Sequence, residues 1–134
     1  MPEYRTLVPG EATGEILSLV EPLSFWGGID PASGRVIDVH HPQRGVEVAG
    51  KVLVMQSGRG SSSSSTVLAE AIRLGTGPVA IVLAEPDPIL ALGAIVAREL
   101  YGKVVPVVVG EAPGTGVVAV RAGATTAVVA PPLP

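Results

Sequence analysis

The sequence predicts a mixed α/β domain built around a parallel strand–helix–strand–helix–strand unit. Three continuous apolar runs, at 52–55, 78–84 and 104–109, have the length and the valine-rich composition of buried strands. Apolar residues at helical spacing fill the two intervening segments, 67–74 and 89–100. Parallel strands joined by crossover helices are expected to form a right-handed unit, which makes the domain an α/β fold.

Shorter runs on either side of this unit predict an additional antiparallel or barrel-like β layer. Gly10 and Gly14 are expected to turn the chain between the first two strands. The last two strands are expected to pair like a hairpin, and the tail 131–134 is expected to be frayed. These additional strands are predicted at 4–8, at 15–20, within 34–42, at 117–121 and at 125–130.

Particular residues bound the two predicted helices. Gly75 directly follows the first helical segment and is expected to end it. Asp87 stands before the second segment, where an aspartate is a favoured N-cap. Gly93 lies inside that second helix, where glycine lowers helix stability, so close packing against a neighbouring element is expected there.

Composition limits the classes of function. A chain of 134 residues with 47% hydrophobic and 16% charged residues can bury a core, so a single domain, 1–134, is expected rather than a disordered chain. A net charge of −3 without a basic block argues against a nucleic-acid partner. The absence of cysteine excludes disulfides and a self-contained iron–sulfur or thiolate–zinc site. Because there is no signal-peptide apolar region and no run near the roughly 20 residues of a membrane span, a cytoplasmic location is expected.

The candidate site is the serine loop, residues 57–66, between the first apolar strand and the first helix. A strand, a glycine-rich turn and a helix start gather free backbone N–H groups at one point, and Arg59 adds a positive charge. These groups would stabilise an anion or a serine alkoxide, but none of them accepts the serine proton. The pattern therefore suits a serine that abstracts a proton within a larger site better than it suits a self-sufficient triad.

The alternative interpretation of the serine loop is structural. In that interpretation 61–65 is a flexible low-complexity turn, and its last serine or Thr66 caps the helix. The loop lacks the Gly-Lys-Ser/Thr ending of a Walker loop and the third glycine of a dinucleotide-binding loop, and it is not a nucleophile elbow.

Two other loops contain chemically distinctive residues. The glycine- and proline-rich stretch 22–31 carries Phe25 and Trp26, which are expected either to plug the core or to form a contact surface. Neighbouring His40 and His41 would point to opposite faces of a strand, so they are unsuited to share one metal ion. A turn histidine beside a hydrogen-bonded one is the favoured interpretation, and an acid–base pair of Asp38 with His40 is the alternative.

Several segments together resemble the swivelling domain of the aconitase X family. The most specific are Ser-Phe-Trp-Gly-Gly at 24–28 and Gly-Arg-Gly-Ser at 58–61, and the similarity covers nearly the whole chain. One departure is Ser64, because many members of the family have glycine at this position. The alignment of the later serines with those of the family is therefore left open. The segments that carry the resemblance are 22–31, Gly34, 36–38, 41–42, Gly45, 49–54, 58–62, 92–97 and 106–107.

The resemblance implies a swivelling β/β/α domain like the fourth domain of aconitase, with a partly parallel sheet flanked by helices. It also implies a dehydratase in which this domain closes over the substrate. The family's catalytic serine falls on Ser61, with Arg59, Gly60 and Ser62 as substrate-binding residues. The stretch 22–31, which we call the aromatic loop, contains the expected partner or substrate contacts: Ser24, Phe25, Trp26, Gly27 and Gly28.

The same resemblance implies no cofactor on this chain and no metal ligand in it. An iron or iron–sulfur centre is expected on a large subunit that forms a heterodimer, or a higher assembly, with this chain. The expected substrate is a small hydroxy acid, with cis-3-hydroxy-L-proline favoured and phosphomevalonate as the alternative. A function of another class, a non-catalytic anion-binding or regulatory module, also remains open.

Overall fold

A closed barrel of seven strands forms the centre of the computed structural model, which describes residues 3–133. Around the barrel the strand order is β1-β7-β6-β5-β2-β8-β9, and β3 and β4 form a separate two-stranded sheet. The elements are β1 Tyr4–Val8, β2 Gly10–Ser18, α1 Phe25–Gly28, β3 Ile29–Asp30, β4 Arg35–Val36, β5 Val52–Met55, α2 Ser64–Leu74, β6 Ala80–Leu83, α3 Pro88–Tyr101, β7 Val107–Val109, β8 Val117–Ala122 and β9 Thr126–Ala130.

One half of the barrel is parallel and the other half is antiparallel. Strands β2, β5, β6 and β7 are parallel neighbours, and α2 and α3 connect the last three of them. Strands β8 and β9 pair as the predicted hairpin, and β1 closes the barrel by pairing with both β7 and β9. The predicted parallel unit and the predicted barrel-like layer are therefore both confirmed, and they belong to one sheet.

The continuous apolar runs arise because both faces of the central strands are covered. In β5, Val52 and Val54 point into the barrel, while Leu53 and Met55 belong to the cluster that packs under the helices. Since successive side chains of a strand alternate between faces, a strand with two buried faces has no polar positions. The core is thus double, with one cluster inside the barrel and one between the barrel and the helices.

The two helices begin and end close to where the sequence predicts. Gly75 ends α2 in the left-handed conformation, with φ of 79°, and its N–H donates to Ile72. Asp87 is the N-cap of α3. The prediction for Gly93 is also confirmed, because a Cβ there would lie 2.7 Å from the Ser65 carbonyl oxygen, so the glycine lets α3 approach the first turn of α2.

One prediction about the flanking strands is wrong, and another is confirmed over a shorter range. Gly10 and Gly14 do not turn the chain: both lie in β2, which pairs with β8 from Gly10 onward. Gly14 is instead a point of close approach, since a Cβ there would lie 2.9 Å from the Gly50 carbonyl oxygen. Within 34–42 only Arg35–Val36 is a strand, because the chain turns immediately afterwards and the Asp38 carbonyl accepts the N–H of His41.

Of the predicted frayed tail, residues 131–133 follow β9 without regular structure, and Pro134 lies outside the described residues. Within the described part of the chain, none of the helices is long and apolar enough to cross a membrane.

Candidate functional site

An open cleft lies where the carboxyl ends of β5 and β6 meet the N-termini of α2 and α3. Its volume is about 350 Å³. The serine loop forms one side, and the turn that leads into α3 forms the other. Two helix N-termini therefore open onto the same space, and both carry the positive end of a helix dipole. The cleft is lined by Leu23, 57–61, Ser64 and 85–90.

Ser61 is half-buried at the start of the turn that leads into α2. Its Oγ accepts a hydrogen bond of 3.0 Å from the N–H of Ser63, and its carbonyl oxygen accepts the N–H of Ser64 at 3.0 Å. A hydroxyl oxygen that accepts an N–H at a helix N-terminus is better able to carry negative charge. No hydrogen bond within residues 3–133 gives this hydroxyl an acceptor for its own proton.

The structural interpretation of the serine loop places the helix cap at Ser65 or Thr66, and neither residue caps α2. Ser65 and Thr66 both lie inside α2, and the N-cap residue Ser63 makes no side-chain capping bond. The hydroxyl that meets a free N–H at this helix end is that of Ser61.

Asp87 joins the two sides of the cleft. Its Oδ1 accepts the N–H groups of Ile89, at 3.0 Å, and Leu90, at 3.2 Å, which caps α3. Its Oδ2 accepts the N–H of Gly58 at 3.0 Å, which ties the beginning of the serine loop to α3. The sequence reveals the capping role of Asp87 but not the bond to Gly58, since the two residues are 29 positions apart.

The charges at the cleft have both signs. Arg59 is the cation among the lining residues, and its Nη2 lies 3.7 Å from Oε1 of Glu21. Both side chains are about half exposed, so this loose ion pair adds little to stability. The carboxylates of Glu85 and Asp87 also line the cleft. A bound molecule would therefore meet Arg59 and the N-terminus of α2 on one side, and on the other side the N-terminus of α3 with the carboxylates of Glu85 and Asp87.

The aromatic loop packs directly on the serine loop. Gly60 has φ of 91°, and a Cβ there would lie 2.7 Å from the Ser24 hydroxyl oxygen. The N–H of Trp26 donates to Oγ of Ser64, at 3.1 Å, and Ser64 is itself buried. Ser64, the position at which this sequence departs from the family pattern, thus anchors the aromatic loop to the first turn of α2.

The predicted site residues do not all meet in the cleft. Arg59, Gly60 and Ser61 line it, whereas Ser62 is exposed and its carbonyl oxygen accepts the Ser65 hydroxyl. The aromatic loop is divided in the same way: Phe25 is fully buried in the core, as one of the two interpretations of the loop aromatics predicts, and Trp26 is exposed. Gly27 is also exposed, Ser24 is half-buried, and Gly28 is buried against Leu23.

The histidines serve the turn structure. Nδ1 of buried His41 accepts the Gln43 N–H, so its Nε2 carries the proton and donates to the carbonyl oxygen of Glu21 at 3.1 Å. The Asp38 carboxylate accepts the main-chain N–H of His40 at 2.9 Å, which is a turn contact and not an acid–base pair between side chains.

The residues that the structure describes do not fit a metal centre. Residues 3–133 contain no group of three or more His, Asp or Glu side chains arranged to hold a metal ion, and the sequence has no cysteine. An iron or iron–sulfur centre would need ligands from elsewhere.

Comparison with known proteins gives consistent matches. The family model described as the aconitase X swivel domain matches residues 2–130. The cis-3-hydroxy-L-proline dehydratase of Pseudomonas aeruginosa is 55% identical over 103 residues, which span 77% of this chain and 18% of that protein. The phosphomevalonate dehydratase small subunit of Methanothermobacter thermautotrophicus is 44% identical over 95 residues, which span 71% of this chain and 72% of that subunit. The chain therefore spans less than a fifth of the hydroxyproline dehydratase and most of the small subunit.

Two solved structures match this chain over almost its whole length. The crystal structure of Thermococcus kodakaraensis aconitase X in its holo-form matches with a TM-score of 0.83 and 34% identity, covering 96% of both chains. A structural-genomics target solved by NMR in solution matches with a TM-score of 0.79 and 33% identity, covering 95% of this chain and 96% of that chain. The predicted fold class is therefore confirmed.

Proposed function

Because the chain belongs to the aconitase X swivel domain family, we propose that it is the swivelling part of a hydro-lyase that removes water from a small hydroxy acid. The observation that carries this proposal is the Ser61 hydroxyl, which lies in an open cleft and accepts an N–H at the start of α2. The reaction needs a base that removes a proton beside a carboxylate, and this hydroxyl is the candidate.

In the proposed mechanism Ser61 acts as an alkoxide. The Ser63 N–H and the dipole of α2 hold negative charge on Oγ, which lowers the free energy of the deprotonated serine. The serine proton passes to solvent, because no hydrogen bond among residues 3–133 gives it an acceptor. The alkoxide then takes the proton beside the substrate carboxylate, a C=C bond forms, and the neighbouring hydroxyl leaves as hydroxide, which becomes water with a solvent proton while Ser61 returns to its neutral form. Arg59 pairs with the substrate carboxylate in place of Glu21. The iron or iron–sulfur centre implied by the resemblance is assigned to a large subunit, since residues 3–133 contain no metal-binding group of side chains and the sequence has no cysteine.

The substrate that we propose is cis-3-hydroxy-L-proline. The identity of 55% to a dehydratase of that name supports this choice. The mixed charge of the cleft supports it as well, because an amino acid carries both a carboxylate for Arg59 and an ammonium group for Glu85 or Asp87. A phosphate dianion in the same cleft would face those two carboxylates with one arginine beside it.

A second candidate substrate is phosphomevalonate. In its favour, the chain covers 72% of a curated phosphomevalonate dehydratase small subunit, whereas it covers 18% of the hydroxyproline dehydratase. The two candidates share the reaction type and the role of Ser61, and they differ in the group that the cleft must recognise.

The test is an activity assay of this chain mixed with a large aconitase X-type subunit, with each substrate in turn. We expect loss of water from cis-3-hydroxy-L-proline. We expect Ser61→Ala to lower kcat by about 10²- to 10⁴-fold, the usual contribution of a general base. Thr66→Ala is the matched control, because it removes an exposed hydroxyl only five positions away.

Full activity of the Ser61→Ala variant would contradict the catalytic role. Turnover of phosphomevalonate alone would favour the second substrate. If neither substrate reacts and no large subunit binds, a non-catalytic anion-binding or regulatory module becomes the better description.

A further inference from the structure

Four large apolar side chains are exposed on the segment between β2 and β5, part of which packs on the serine loop. We propose that these residues, Val20, Trp26, Ile37 and Val39, form the surface on which the metal-bearing large subunit docks, and we call them the rim patch. Val20 is 75% exposed, Trp26 is 59% exposed and Val39 is 63% exposed. The inference rests on the proposed function and adds the location and the chemistry of the contact.

The rim patch is held in place by the segment beneath it. The N–H of Val20 donates to Oε1 of Gln43 at 2.8 Å, and Nε2 of Gln43 donates to the Ser18 carbonyl oxygen at 3.0 Å. The N–H of Ile37 donates to the Gly28 carbonyl oxygen at 2.9 Å. These hydrogen bonds already order the backbone of this chain at Val20 and Ile37. Docking of a partner there would therefore cost this chain little additional conformational entropy.

The patch lies at the same end of the barrel as Ser61. Strands β2 and β5 are parallel, so the residues that follow β2, including Val20, lie at the same edge as the serine loop that follows β5. Two contacts connect the patch to the cleft directly. Glu21 lies 3.7 Å from Arg59, and the N–H of Trp26 is bonded to Ser64, which lines the cleft. A protein surface that covers the patch would therefore lie beside Arg59 and Ser64, two of the residues that line the cleft.

The large subunit is the occupant that the observations favour. The part of the hydroxyproline dehydratases that matches this chain is 18% of one such protein and 17% of another, so most of each polypeptide lies outside this domain. The described residues lack a metal-ligand set, and the cleft is open, so the remaining catalytic groups must approach over its rim. A partner surface with an apolar pocket for Trp26 and polar groups near Arg59 and Glu21 fits this rim, since exposed tryptophan is a frequent anchor of interfaces.

An exposed apolar residue outside the rim patch, Leu100, provides a control far from the cleft. Leu100 is 69% exposed and lies near the carboxyl end of α3, whereas Asp87 at the N-terminus of that helix borders the cleft. A helix of 14 residues is about 21 Å long, so Leu100 is too distant to touch a partner that covers only the rim. A change at Leu100 removes apolar surface without touching the proposed interface.

The experiment measures the dissociation constant between this chain and the large aconitase X-type subunit by isothermal titration calorimetry. We expect Trp26→Ala to raise Kd at least 10-fold and Val39→Ser to raise it at least 3-fold, while Leu100→Ser changes it less than 2-fold. Thermal melts of each variant establish that it is folded. Should Trp26→Ala fail to fold, Val39→Ser alone decides, because Val39 belongs to an exposed turn region outside the barrel.

Each outcome bears on the proposal. Wild-type affinity in the Trp26 and Val39 variants, or an equal loss in the Leu100 variant, would overturn it. Failure of the two wild-type chains to associate, or self-association of this chain that Trp26→Ala abolishes, would overturn it as well. If the pair associates through the rim patch but dehydrates neither substrate, the docking surface stands and the proposed reaction fails.

Discussion

Asp87 offers the sharpest test of how the cleft is held together, because one carboxylate makes two separable contacts. Oδ1 caps α3 through two N–H groups, and Oδ2 accepts the N–H of Gly58. Asp87→Ala removes both contacts. Asp87→Ser leaves a hydroxyl that can cap the helix but is too short to reach Gly58 as well.

The magnitudes follow from the contacts. Loss of an N-cap costs about 1 kcal/mol. A hydrogen bond to a charged, half-buried group contributes about 1.5 kcal/mol, so Asp87→Ala should lose about 2.5 kcal/mol and Asp87→Ser about 1.5 kcal/mol. The entropy of unfolding is about 2.1 cal/mol/K per residue, which for 134 residues turns these losses into Tm decreases of about 9 °C and about 5 °C.

Differential scanning calorimetry of the isolated chain measures both decreases. The catalytic assay with the large subunit adds a second measurement. Because the Gly58 contact positions the serine loop, Asp87→Ser should lower kcat even at temperatures at which the variant is fully folded. Equal Tm values for Asp87→Ser and the wild type would refute the contribution of the Gly58 contact. A Tm decrease below about 2 °C for Asp87→Ala would refute the reasoning as a whole.

Two further predictions concern β1. Burial, and secondarily the charge of Glu111, raise the pKa of Tyr4, whose hydroxyl donates to the Glu111 carbonyl oxygen at 2.7 Å. The folded state therefore holds the phenol proton more tightly than the unfolded state does, so this contribution to stability is complete below pH ~10 and is lost as the pH rises through the raised pKa. Denaturant titrations at several pH values should show a shallower alkaline loss of stability for Tyr4→Phe than for the wild type, and parallel curves would contradict the assignment. In the same strand, the buried Oγ1 of Thr6 has no hydrogen-bond partner among the described residues, so Thr6→Val should raise the free energy of unfolding by about 1 kcal/mol; a decrease would mean that the hydroxyl is satisfied.

Some features of the site could be predicted from local sequence alone. A strand, a glycine-rich turn and a helix start at 52–74 fix the position of Ser61 at a helix N-terminus, because each of these elements is encoded by neighbouring residues. The N-cap at Asp87 and the helix end at Gly75 follow for the same reason. The flanking elements were less predictable. Gly14 looks like a turn residue in isolation, yet it lies in β2 and pairs with Val118 of β8, and the backbone of Gly50 approaches it too closely for a side chain.

Local sequence patterns were sufficient to predict the alternation of strands and helices in the parallel centre and the position of Ser61 at the start of α2. The tertiary structure alone decided that the barrel closes through β1, that Phe25 is buried while Trp26 is exposed, and that Gly58 meets Asp87. The physical reason is the range of the interactions involved. Helix periodicity, caps and strand alternation act over a few residues, whereas these pairings join segments 20 or more positions apart and depend on the packing of the whole chain.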